Sequence, residues 1–139
     1  MKSAIVALGA ILIVSGIEPV LAHHSYAAFD RDKKVTLTGV VKEFQWNNPH
    51  AWIQMMVADA KGHQVEWGVE CGSPNMMART GWKRTTLKAG DKIVVVLNPL
   101  KDGRPNGSLV TVTLADGKVL GPGNAPVPRP LGSATRSKS

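Results

Sequence analysis

Two consecutive stretches of this chain alternate apolar and polar residues with a period of two, and a short turn separates them. In the first, Ala51, Ile53, Met55 and Val57 fall on one side and Trp52, Gln54 and Met56 on the other. In the second, Val65, Trp67 and Val69 oppose Gln64, Glu66 and Glu70. Successive side chains of a strand point to opposite faces, so this period marks half-buried antiparallel strands and does not fit a helix. Ala60-Lys61-Gly62 supplies the turn between them.

The flanking segments extend the same pattern. Val35–Trp46 is rich in Val, Thr and aromatic residues and reads as a strand, with Gly39 marking a bulge or sharp bend inside it. Ser73 suits a helix N-cap, Pro74 the first helical position and Gly81 a left-handed stop, so a short helix follows the third strand. Lys92–Leu97 and Ser108–Leu114 are two further strands, and Asp116-Gly117 turns the chain into a last short one. The order is three strands, a helix, then strands. That is the layout of an all-β OB-fold-like five-stranded barrel with one short helix plugging an end. The alternative is an open β-sandwich. Closure removes exposed sheet edges from a small domain and favours the barrel.

A chain of 139 residues holds one domain. Cys71 is its only cysteine, which excludes an internal disulfide and a multi-cysteine zinc site. No phosphate-binding loop, dinucleotide fingerprint or Gly-x-Ser-x-Gly elbow is present, so nothing points to an enzyme. The net charge of +7 on a barrel of this type suggests nucleic acid at first sight. Aromatic residues are only 5% of the chain, which leaves Trp52 as the one good outward stacking residue and argues against that partner.

The two ends differ in composition from the middle. Met1-Lys2-Ser3 is a short basic start, Ala4–Val14 is almost wholly apolar, and Val20 and Ala22 are small residues placed for a cut after Ala22. This predicts a signal peptide over residues 1–22, export to the periplasm and a mature chain beginning at His23. A retained membrane anchor is the alternative, but the apolar run falls short of the roughly 20 residues that span a bilayer. No later stretch is long enough to cross a membrane. The folded domain is expected over residues 23–120. Residues 121–139, rich in Pro, Gly and Ser and carrying Arg129, Arg136 and Lys138, read as a disordered basic tail.

Several short motifs follow one another in order. They are Ala22-His23-His24-Ser25, Leu37-Thr38-Gly39-Val40-Val41, Trp46-Asn47-Asn48-Pro49-His50-Ala51-Trp52, Gly72-Ser73-Pro74-Asn75, Gly81-Trp82 and Leu87-Lys88-Ala89-Gly90-Asp91. In this ordered set the chain resembles the bacterial family called domain of unknown function 6152, over roughly His23 to Leu120. The resemblance implies a small exported protein and brings no activity with it. Cys71 stands where the family pattern leads one to expect an apolar residue such as Leu.

Two constellations are candidates for chemistry. Cleavage after Ala22 would give His23 a free α-amine, which chelates one metal ion together with Nδ1 of the same ring. His24 adds a second imidazole, and His50 at the end of the first inter-strand loop is a third candidate ligand. Copper(II) takes tetragonal nitrogen ligands and binds tightest among the first-row divalent ions, so copper is the expected metal. The bland alternative is a frayed polar end. The second constellation is the loop itself. Asn47, Asn48, His50 and Trp52, with Gln54 on the same strand face, form a candidate patch for a small ligand or an envelope protein partner. Its alternative is structural, with the asparagines building the turn and Trp52 covering the barrel wall.

Glu66 and Glu70 are expected on a solvated face, though Glu70 is also a candidate ligand contact and either could orient His50. His63 is expected in an exposed turn. Met55, Met76, Met77 and Cys71 are expected in the core, as are Trp46, Trp67 and Trp82.

Overall fold

A computed structural model of the chain describes residues 25–123. The strands are β1 (Val35–Gln45), β2 (Trp52–Ala58), β3 (Gln64–Glu70), β4 (Lys92–Pro99), β5 (Asn106–Thr113) and β6 (Val119–Leu120). A four-residue helical turn, α1 (Ser25–Ala28), precedes them, and α2 (Pro74–Arg79) lies between β3 and β4.

β1 is the hub, antiparallel to β2 on one side and to β4 on the other. β2 pairs with β3, and β4 with β5. The ring closes where β3 runs parallel to β5, with Gly68, Val69 and Glu70 level with Asn106, Gly107 and Ser108. The result is a closed five-stranded barrel of the OB-fold type, with β6 added to the free side of β5. The open sandwich is thereby excluded. A parallel closing pair cannot come from a hairpin, and it is the one step that local alternation does not encode.

The alternation is realised as burial. Ala51, Ile53, Met55 and Val57 line the barrel interior, joined by Val41, Val69, Ile93, Val95, Leu97, Leu109 and Val112. Gly39 also faces inward, but the bulge of β1 lies further along, between Val41 and Glu43. Gly39 serves close approach instead. A Cβ there would strike the Met56 carbonyl oxygen and come within 2.8 Å of Met55 Cε.

α2 covers one end of the barrel. Pro74 sits in its first turn and Ser73 is extended at the N-cap, yet its hydroxyl makes no capping hydrogen bond. Gly81 follows the helix at φ +95°, as expected of a left-handed stop. Met77 and Trp82 are buried beneath it, whereas Met76 is exposed, contrary to the expectation that both methionines pack. The side chains of consecutive helical residues diverge by about 100°, so only one of the pair can face the core. Trp82 stacks at 5.6 Å on Phe44 and donates Nε1–H to the Gly121 carbonyl at 2.8 Å.

The lead-in before β1 packs on the barrel, and the packed chain runs a little past the expected end at residue 120. Phe29 is buried and bridges Leu100, with Lys101 N–H donating to the Ala28 carbonyl. At the other end Pro122 accepts a hydrogen bond from Gly72 N–H, so Gly121–Gly123 belong to the fold rather than to a tail. The predicted signal segment, residues 1–22, and the remainder of the predicted tail lie outside the described residues.

Candidate functional site

The loop from β1 to β2 ends in a clamp. Ala51 is fully buried, its N–H donates to the Gly72 carbonyl, and its own carbonyl accepts from Cys71 N–H. With residue 51 pinned inward, His50 and Trp52 on either side of it fall on the outside of the wall. Asn47, Asn48 and Pro49 form the exposed rim of the loop, and the Asn48–Pro49 peptide is cis.

Cross-strand register then sets Glu70, the last residue of β3, directly opposite Trp52. His50 Nδ1 lies 2.5 Å from Glu70 Oε1. Glu70 is only 8% exposed, so the expectation of a solvated carboxylate fails for it. Trp52 flanks it on β2 and Ser108 on β5, and the two neighbouring strands remove it from water. Glu66, two pleats away, remains exposed and pairs with Lys42 at 2.6 Å. A carboxylate on Nδ1 fixes the orientation of an imidazole and leaves Nε2 as the atom that accepts a proton or a metal. His50, Trp52 and Glu70 therefore form one cluster, with Asn47 and Asn48 at its margin. Sequence reasoning missed Asn106 and Ser108, which reach this face only through the parallel closing pair. No local pattern in Asn106–Thr113 signals that partner.

The other candidates are placed elsewhere. His23 and His24 lie outside the described residues. The lead-in that follows them is tied to Leu100 and Lys101 in the β4–β5 connection. Among the described residues there is no cluster of three or more His, Cys, Asp or Glu side chains arranged to hold a metal ion. His63 is exposed in its turn with Nδ1 3.3 Å from Asp59. Cys71 is buried, and desolvation, with the Glu70 charge adding to it, pushes its thiol far above the usual range. That environment opposes the thiolate needed for metal binding or nucleophilic attack. On the loop joining β4 to β5, the backbone N–H of Arg104 and then its guanidinium hold the exposed Asp102 carboxyl below its ordinary value.

An apolar cavity of about 410 Å³ opens at the far end of β2 and β3, lined by Leu37, Val57, Val65, Trp67 and Pro105 among others. It contains none of the candidate site residues. The His50–Glu70 cluster instead lies on the outer β2–β3 wall, between the β1–β2 and β4–β5 loops, which is where OB-folds take their ligands.

Residues 10–109 match a family of unknown function, DUF6152. The chain belongs to that family. The DUF6152 match runs from before the described residues to Leu109 in β5 and so includes every residue of the cluster. No curated protein and no solved structure matches the chain. Among the described residues no helix is long and apolar enough to cross a membrane.

Proposed function

We propose that the mature chain is an exported, periplasmic, non-enzymatic binding protein that engages a small ligand or envelope partner through the outer β2–β3 face. Export rests on the basic start, the apolar run Ala4–Val14 and the small residues Val20 and Ala22. The observation that carries the binding reading is the convergence of Trp52, His50 and the buried Glu70 carboxylate on one wall. An aromatic body beside an oriented imidazole and a desolvated carboxylate offers stacking and directed hydrogen bonding together.

The experiment is site-specific photo-crosslinking in intact cells. A photoreactive residue at Trp52 is compared with one at Thr36, which is exposed on β1 and pairs towards β4. Discrete adducts from position 52 alone are expected. Equal labelling from both positions, or from neither, contradicts the reading.

The second reading is copper binding through His23, His24 and His50. It is favoured by Glu70 at Nδ1 of His50, because a carboxylate in that place typically tunes a metal-bound imidazole. Titration of the mature chain with Cu(II), followed by paramagnetic resonance, is expected to show one nitrogen-rich tetragonal site. His50→Ala is expected to weaken it. Unchanged affinity in that variant removes His50 from the ligand set.

A further inference from the structure

The wall around Trp52 has a second feature, set by a residue without a side chain. Gln54 on β2 is directly opposite Gly68 on β3, and Gly68 is level with Asn106 on β5. A Cβ on residue 68 would collide with Asn106 Oδ1 and lie 3.3 Å from Gln54 Oε1. The two amide side chains thus reach over the bare backbone of β3 from both sides. Among the described residues neither amide is engaged in a hydrogen bond. One pleat further along the same face come Trp52, Glu70 and Ser108. A half-buried indole, two side-chain amides, a hydroxyl and a carboxylate are therefore contiguous on a shallow wall.

The charge of this wall limits what it can hold. The outward positions of β1, β2 and β3 carry Glu43, Glu66 and Glu70 against Lys42, and Lys42 is already paired with Glu66. β2, β3 and β5 contain no Lys or Arg, although the chain as a whole is at +7. Phosphate-rich polymers depend on cationic contacts for most of their affinity; the strands of this wall offer only the paired Lys42, and Arg104 at its rim is itself held by Asp102. What remains is an uncharged ligand with one apolar face for the indole and many hydroxyl or amide groups for the rim. A pyranose ring has that shape: axial C–H groups on one side and hydroxyls around the edge.

We infer that the outer β2–β3–β5 wall binds a neutral oligosaccharide, with a sugar ring stacked on Trp52 and its hydroxyl or N-acetyl groups held by Gln54 and Asn106. The inference rests on the binding reading above and names its ligand class. A structural glycan and a free oligosaccharide in the envelope share this chemistry.

The test uses the mature chain with tetra-N-acetylchitotetraose and cellotetraose as probes, followed through the Trp52 indole N–H resonance in the parent and by titration calorimetry in the parent and variants. At least one probe is expected to shift that resonance saturably. Trp52→Ala and Asn106→Ala are expected to weaken binding by about tenfold or more. Gly68→Ala pushes the Asn106 amide aside and should weaken it similarly, and Asn106→Ala covers the case in which the Gly68 variant folds poorly. Sedimentation with purified cell-wall glycan then separates a structural glycan from a soluble one. The inference is overturned if neither probe moves the Trp52 resonance, if Asn106→Ala binds as tightly as the parent, or if a short oligothymidylate displaces the sugar. Persistent crosslinks from position 52 in the absence of sugar binding would overturn the glycan alone. Loss of both would remove the binding reading with it.

Discussion

At the scale of single residues, the decisive feature is a buried carboxylate on the outside of a small barrel. Lys42–Glu66 and His50–Glu70 both set a carboxylate against a nitrogen on the same wall. The first is exposed at both ends, and pairs of that kind contribute at most about 1 kcal/mol. The second has one partner nearly excluded from water. Hydrogen bonds to buried charged groups are worth about 1.5–3 kcal/mol, so a double-mutant cycle on His50 and Glu70 should give a coupling in that range. Denaturant unfolding of the two single variants and the double variant checks it.

Cys71 gives a prediction of opposite character. Its thiol stays protonated in the fold, while the same thiol in the unfolded chain ionises near about 8.5. Above that pH the unfolded state binds fewer protons than the folded state, so stability falls as pH rises. One such group contributes a slope of about 1.4 kcal/mol per pH unit, starting at the unfolded value. Cys71→Ala should remove that component of the slope between about pH 8.5 and 10. The intact thiol should also resist alkylation until the chain unfolds.

At the scale of elements, the strands of this chain are legible and their edges nearly so. Period-two alternation located β2 and β3 because each strand has one face in the core and one outside. The helix boundaries followed from Pro74 and Gly81, whose backbone preferences are local. Two elements escaped. α1 and Phe29 are held by contacts to Leu100 and Lys101, some 70 residues away in the sequence, which no window along the chain can see. The bulge was expected at Gly39 and lies between Val41 and Glu43, because Gly39 answers a different demand. β1 passes so close to β2 there that any side chain meets backbone as well as Met55. Gly39→Ala should therefore destabilise the barrel by about 1–3 kcal/mol, the usual cost of overpacking. A thermal melt of that variant, with Gly62→Ala as the comparison for conformational strain alone, measures the difference. Gly62 has φ +83° and no heavy atom near its missing Cβ.

At the scale of the whole molecule, closure assembles the candidate site. β2 and β3 would form the Trp52–Glu70 pairing in any hairpin, but only the parallel β3–β5 contact brings Ser108 and Asn106 beside it. The cluster of His50, Trp52 and Glu70 was half legible, since alternation put His50, Trp52 and Gln54 on one face. The burial of Glu70 was not, because it depends on strands on both sides of β3. The histidines at 23 and 24 rest on sequence alone.

The binding reading places the functional contacts on the outer β2–β3–β5 wall. The most direct measurement is an amide chemical-shift map of the isotope-labelled mature chain, recorded in buffer and in concentrated envelope extract. Shifts concentrated in residues 47–54, 68–70 and 106–108 are expected. Shifts centred on the apolar mouth around Leu37, Val57 and Trp67, or spread evenly over the barrel, would contradict that reading.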